Sequence, residues 1–188
     1  MDFFHRHYKY EAFTAEITPG LNSDRERVLA VFDWTRRNIR KTLEDGPVVD
    51  DHVLNIIIRG HGLDDQMADV FTTLSTYAGV PAFWSFLALP GSKEKLVLSF
   101  ARVDGRWVVF DVANGVIFQK DRGDLASVEE IAANPGLVEG AAGALRYLGV
   151  PYQRYFQGFT PPSVPNTLRA EKQMPWRRLI FEAKRLLG

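Results

Sequence analysis

The feature that most constrains this chain is a change in the period of its apolar residues near Pro81. Between residues 24 and 78 the apolar residues recur at steps of three and four, which is the period of amphipathic helices. Between residues 82 and 119 the chain instead has short runs rich in Val, Phe and Trp, and the pair Asp104-Gly105 between two of these runs is typical of a tight β-hairpin. Helices followed by consecutive antiparallel strands predict an α+β fold.

Two helix starts are marked by capping residues. Ser23 with Glu26, and Ser127 with Glu130, have the spacing of a capping box, in which two side chains satisfy free backbone amides of the first helical turn. The first box predicts a helix that continues to about Leu43, and the second predicts short helices in the region after the strands.

The rest of the chain suggests three parts. A helix is predicted to open at residues 64–65 and to stop at Gly79, and together with the strands it belongs to a domain that we place at residues 1–158. Residues 159–173 are predicted to form an extended connector, because three prolines lie between residues 158 and 165. Residues 174–188 predict a basic amphipathic helix.

Composition excludes several classes of function. The chain has 188 residues, with 23 Lys plus Arg against 23 Asp plus Glu, so no overall charge favours nucleic acid as a partner. It has no cysteine, which excludes disulfides, thiolate metal sites and cysteine nucleophiles. The first ten residues lack the apolar core of a secretory signal, and no apolar run approaches the roughly 20 residues of a membrane span. We therefore expect a cytoplasmic protein, with peripheral membrane contact as an open possibility.

Three stretches of sequence carry a resemblance to a known family. They are Gly60-His-Gly-Leu-Asp-Asp-Gln-Met-Ala68 with the following run to Gly79-Val-Pro-Ala82, then Asp104-Gly-Arg-Trp-Val-Val-Phe-Asp111, and finally Asn114-Gly-Val-Ile-Phe118 with Ala126-Ser-Val-Glu-Glu-Ile131. They resemble the transglutaminase-like, papain-related family. The resemblance implies a core of N-terminal helices packed on an antiparallel sheet, followed by C-terminal helices. The third stretch is similar to members from bacterial polysaccharide gene clusters.

The same resemblance assigns three positions to the family's catalytic triad. The cysteine position holds Asp64, the histidine position holds Leu96, and the aspartate position is kept as Asp111. A carboxylate is a poor acyl acceptor, and Leu96 cannot transfer a proton. The resemblance therefore implies a non-catalytic protein, a pseudoenzyme that binds a protein or a glycan in polysaccharide or envelope biosynthesis.

A carboxylate-based hydrolase or lyase is the alternative interpretation. Asp64 and Asp111 would supply the carboxylates, and His61, between two glycines, would act as the base. These residues with Asp65 and Asp69 could also bind a metal ion, but their spacing is not that of a diagnostic motif, so we expect neither a metal nor a cofactor.

Two further sets of residues are candidates for contacts with a partner. Trp84 and Asp65 are candidate ligand contacts, because aromatic rings beside a cleft can stack against sugars; Phe86 and Trp107 share this possibility. At the C-terminus, an apolar stripe and a net charge of +4 between residues 172 and 188 predict contact with a membrane surface. The residues expected to make that contact are Trp176, Arg177, Arg178, Lys184 and Arg185.

Overall fold

The computed structural model of the chain describes residues 3–42, 52–120 and 123–187. The first half is helical. It contains four helices and two short strands: α1 (Phe3–Ile17), α2 (Asp24–Asn38), β1 (Arg40–Lys41), α3 (Val53–Arg59), β2 (His61–Gly62) and α4 (Asp64–Tyr77). Strands β1 and β2 pair in parallel, with Arg40 opposite His61. This pairing holds the chain that leads into α4 against the end of α2.

Four antiparallel strands follow in chain order and form one sheet. They are β3 (Ala82–Ala88), β4 (Lys95–Val103), β5 (Arg106–Asp111) and β6 (Val116–Ile117). The predicted hairpin is confirmed, because Asp104 and Gly105 join β4 to β5 with φ angles of 50° and 81°. Two successive positive φ values are those of a type I′ turn, whose twist matches that of the flanking strands.

The last third of the chain consists of short elements. They are α5 (Val128–Ala133), α6 (Gly136–Ala142), β7 (Arg146–Tyr147), β8 (Val150–Pro151), 3₁₀ turns at Tyr152–Phe156 and Ala170–Gln173, and α7 (Pro175–Leu187). Residues 157–169 contain neither helix nor strand. None of the helices within the described ranges has both the length and the apolar character needed to cross a bilayer.

The sheet is covered on both faces. Alternate residues of β4 point to opposite sides, so Ala101 and Val103 pack with α1 to α4, whereas Leu96, Leu98 and Phe100 pack with residues from the last third of the chain. This double coverage explains why β4 is almost continuously apolar in sequence. The fold is the predicted α+β arrangement, with helices on one face and the short C-terminal elements on the other.

Both predicted capping boxes are confirmed, but one helix end was predicted wrongly. The Ser23 hydroxyl accepts a hydrogen bond from the Glu26 amide, and Ser127 does the same for Glu130. Helix α2 ends at Asn38 rather than near Leu43, because the chain turns there into β1 and pairs with β2. Leu43 itself lies outside the described residues.

Candidate functional site

At the start of helix α4, the backbone of Gly62 lies very close to the side chain of Gln66. Gly62 has no side chain, and a Cβ there would lie only 3.0 Å from Gln66 and 3.2 Å from Ile56. The Gln66 side-chain oxygen accepts hydrogen bonds from the Leu63 amide at 3.1 Å and from the Arg59 guanidinium at 2.6 Å. This arrangement satisfies one of the free amides at the helix start and makes Asp64 the first helical residue.

Asp64, where the sequence resemblance places the family cysteine, is held by two partners from distant parts of the chain. The Lys41 ammonium lies 2.9 Å from its carboxylate, and the Tyr147 hydroxyl donates a hydrogen bond to it at 2.8 Å. The same ammonium lies 5.0 Å from the centre of the Tyr147 ring. The carboxylate is only 13% exposed, so it acts here as the acceptor of an ion pair and of a phenol.

Leu96, where the sequence resemblance places the family histidine, is a core residue. Its side chain is fully buried in the cluster on the second face of the sheet, and in the strand register it lies opposite Leu87. An apolar side chain in this environment can neither accept nor donate a proton. The position therefore contributes packing to the structure.

Asp111 is fully buried at the end of β5 and accepts three hydrogen bonds. The donors are the backbone amide of Asn114 at 3.0 Å, the side-chain amide of Asn114 at 2.8 Å and the Tyr152 hydroxyl at 2.7 Å. Burial raises the pKa of Asp111 above its ordinary value, the three donors oppose that rise, and the negative charge of Asp64 adds to it. Asp64 and Asp111 thus interact electrostatically, while each is hydrogen-bonded to its own tyrosine.

The two tyrosines come from a segment that the sequence analysis did not connect with the site. Tyr147 ends β7, and Tyr152 begins the 3₁₀ turn that follows β8. Burial raises the pKa of Tyr152 well above its ordinary value, so its hydroxyl remains a donor. With Tyr155, which packs edge-on against Tyr147 at 5.6 Å, this segment holds three of the chain's six tyrosines. These clustered tyrosines were the one sequence feature that could have indicated the segment. They were not assigned to the site because nothing in the sequence places them beside Asp64.

The remaining polar candidates His61 and Asp65 each contact a partner other than the two carboxylates. The His61 ring nitrogen Nδ1 lies 3.0 Å from the Thr42 hydroxyl, and the Asp65 carboxylate accepts a hydrogen bond from the Gln66 amide that follows it. In the described part of the chain, no group of three or more histidine, aspartate or glutamate side chains is arranged to hold a metal ion.

Asp69 belongs to a separate interaction, which involves the candidate ligand contact Trp84. Its buried carboxylate accepts a hydrogen bond from the Trp84 indole at 2.6 Å and forms an ion pair with Arg169 at 2.6 Å. The indole thereby joins β3 to α4, and the same carboxylate joins α4 to Arg169 within the predicted connector. Phe86, two residues further along β3, is 51% exposed and is the aromatic side chain of this strand that faces solvent most.

Helices packed on one face of a four-stranded antiparallel sheet, with short helices and turns on the other, define the class of this protein as α+β. A sequence model of the transglutaminase-like superfamily matches residues 11–112, which is more than half of the chain. The chain belongs to the transglutaminase-like superfamily.

Two solved structures are similar to this chain over part of its length. One is a candidate cysteine protease from Cytophaga hutchinsonii, with 19% identity and a TM-score of 0.49 over 63% of this chain and 40% of that one. The other is a candidate protease from Parabacteroides distasonis, with 13% identity and a TM-score of 0.42 over 65% of this chain and 28% of that one. The matched region thus spans less than half the length of each of these two solved proteins. A comparison with curated proteins gave no match.

Proposed function

We propose that this chain is a non-catalytic member of the superfamily that acts as a binding or accessory module. The proposal rests on the burial of Leu96, an apolar residue at the position where the sequence resemblance places the catalytic base. Cysteine-type acyl transfer needs a nucleophile and a base within hydrogen-bond reach of each other. Here the corresponding positions hold a carboxylate bound to Lys41 and an aliphatic side chain.

The environment of Asp111 supports the same conclusion. In a triad the aspartate orients the base, whereas here the carboxylate orients Asn114 and Tyr152. Because Tyr152 is itself fully buried, the carboxylate has no exposure to solvent through which a substrate could reach it. The residue has a stabilising role in the loop after β5 in place of a catalytic one.

A cavity on another part of the surface is the candidate binding site. It has a volume of about 310 Å³ and lies between β3 and β4 on one side and residues 159–163 on the other. Its lining includes Phe159, whose side chain is half-buried, and the hydroxyl-bearing residues Ser85, Thr160 and Ser163. An aromatic face with nearby hydroxyls matches the stacking and hydrogen bonding that sugars require, so we propose a glycan as the ligand. The setting in bacterial polysaccharide or envelope biosynthesis rests on the sequence resemblance alone.

The absence of catalysis is tested with a pair of variants. Wild-type protein, Asp64→Ala and the matched control Asp65→Ala are assayed for amine incorporation into glutamine substrates, for peptide hydrolysis and for ester hydrolysis. We expect no turnover above background for any of the three proteins. Turnover that Asp64→Ala abolishes and Asp65→Ala retains would contradict the proposal and favour the carboxylate-based hydrolase.

Binding is tested separately by calorimetric titration with fragments of acidic and neutral bacterial polysaccharides. We expect binding that Phe159→Ala weakens at least about tenfold, which is the size of effect that loss of one stacking contact produces. Ile58→Ala is the control, because Ile58 is an apolar residue that is 68% exposed and lies on α3, outside the cavity lining. If both variants bind equally, the cavity is not the glycan site.

A further inference from the structure

Helix α7 contacts the rest of the protein through the side that carries Arg178 and Phe181. The Arg178 guanidinium lies 4.9 Å from the centre of the Phe3 ring on α1, and the Lys172 ammonium lies 4.9 Å from the centre of the Phe181 ring. Arg177 is 3.5 Å from the Glu171 carboxylate in the preceding 3₁₀ turn. The contacts that hold the helix are therefore cation–π contacts and an ion pair.

The apolar side of α7 points away from the protein. Trp176, Leu179 and Ile180 are 77%, 58% and 52% exposed, and Ala183, which continues their helical spacing, is also exposed. A surface helix of a globular protein normally turns such a stripe towards the core and its charges towards water. We call these four residues the α7 apolar ridge. The side chains of Lys184, Leu186 and Leu187 lie outside the described residues.

Charge decides which partner suits the ridge. Residues 172–188 contain five basic side chains and one acidic side chain, in a protein whose formal net charge is zero. A second copy of the chain placed ridge to ridge would bring together two segments of net charge +4, which repel each other. An anionic lipid surface attracts the same segment and also provides an apolar layer for the exposed tryptophan and aliphatic side chains.

We propose that α7 is an interfacial helix that binds reversibly to membranes containing anionic lipids. The α7 apolar ridge enters the boundary between headgroups and acyl chains, and Arg177, which is 64% exposed, extends from the flank of the ridge to lipid phosphates. Binding of one short helix of this kind is weak and depends on ionic strength, since each cation that reaches the lipid surface contributes only about 1 kcal/mol and salt screens that attraction. The proposal does not depend on the proposed binding function.

Vesicle sedimentation of the full chain tests the proposal. Wild-type protein, Leu179→Glu/Ile180→Glu and the control Ile58→Glu are mixed with phosphatidylglycerol-containing vesicles or with pure phosphatidylcholine vesicles, each at low and high salt. We expect wild type and Ile58→Glu to bind the anionic vesicles at low salt, with at least about tenfold weaker binding at high salt or in the double variant. All replaced side chains are exposed, so the melting temperatures should remain close to that of wild type.

Tryptophan fluorescence identifies the residue that enters the lipid. The chain has four tryptophans, and we expect anionic vesicles to shift the wild-type emission to shorter wavelength and to leave Trp176→Phe unshifted. Failure to bind anionic vesicles, equal binding to neutral vesicles, or equal binding by the double variant would overturn the proposal. So would a dimer in analytical ultracentrifugation that Leu179→Glu/Ile180→Glu dissociates, because the ridge would then be covered by a second copy.

Discussion

The phenol oxygen of Tyr152 lies 2.7 Å from the carboxylate of Asp111, and both side chains are fully buried. The two residues are 41 positions apart in sequence. Their hydrogen bond joins the end of the sheet to the 3₁₀ turn that covers it. The carboxylate at the position that the sequence resemblance assigns to the triad aspartate is thus hydrogen-bonded to a C-terminal segment of the same chain.

Removal of the Tyr152 hydroxyl should destabilise the protein. In Tyr152→Phe the Asp111 carboxylate loses one of its three donors without access to water, and we expect the free energy of unfolding to fall by about 1–3 kcal/mol. Urea denaturation measures the change. Tyr155→Phe is the control in the same turn, because its hydroxyl makes only a long contact of 3.4 Å with the Tyr147 carbonyl. Equal losses of unfolding free energy in the two variants would mean that the hydrogen bond to Asp111 stabilises the protein no more than the long Tyr155 contact does.

Stability should depend on pH through Asp111. Because burial raises the pKa of Asp111 in the folded state above its ordinary value of 3.8, the unfolded chain releases this proton at lower pH than the folded protein does. The contribution of Asp111 to stability is therefore fully present below pH 3.8 and is lost as the pH rises through the folded-state pKa.

Asp111→Asn removes this titration. We expect the free energy of unfolding of wild type minus that of Asp111→Asn to decrease as the pH rises from about 4 and to level off above the folded-state pKa. Denaturation curves at several pH values between 4 and 8 provide the measurement. A difference that increases with pH would show that the hydrogen-bond donors outweigh burial and that the carboxylate is held in its charged form.

Leu96→His should cost stability without creating a catalytic base. The substitution places a polar ring among apolar side chains where Leu96 is fully buried, and we expect a loss of about 2–5 kcal/mol. Leu96→Met, which preserves volume and polarity, should lose less than about 1.5 kcal/mol. Thermal denaturation compares the two. If Leu96→His melts like wild type, the position borders a cleft that can accept a polar side chain, and the core assignment is wrong.

Trp84→Phe tests the link between β3 and α4. The variant keeps an aromatic ring but removes the indole donor 2.6 Å from the buried Asp69 carboxylate, so we expect a loss of about 1–3 kcal/mol in the free energy of unfolding. Trp107→Phe serves as the control, because Trp107 packs edge-on against Phe83 at 5.0 Å and has no hydrogen bond from its indole among the described residues. A smaller loss for Trp84→Phe than for Trp107→Phe would contradict this role of the indole.

Local patterns in the sequence predicted the elements that depend on neighbouring residues. The capping boxes at Ser23 and Ser127, and the hairpin at Asp104-Gly105, act over a few residues, and the structure confirms all three. Helix α1 was not predicted, since its residues mix aromatic, charged and polar side chains without a clear apolar stripe. Its place depends on packing against α4, through contacts such as the one between His7 and Tyr77.

The candidate site was predictable only in part. The resemblance gave the positions of Asp64, Leu96 and Asp111, but the partners that define their environments are Lys41, Tyr147 and Tyr152. Those partners come from 23 to 83 residues away along the chain. No periodicity or local motif connects residues at such separations.

By itself the sequence determined that two main helices precede a run of antiparallel strands, and it determined the hairpin, the absence of cysteine and the amphipathic character of the C-terminal segment. These properties follow from backbone preferences and side-chain chemistry over short distances. Tertiary structure alone decided that tyrosines donate hydrogen bonds to Asp64 and Asp111, and that α7 turns the side with Arg178 and Phe181 towards the protein and its apolar ridge outward. Burial and hydrogen bonding arise only when distant segments meet, so a pattern along one helix defines its two faces but not which of them the rest of the protein covers.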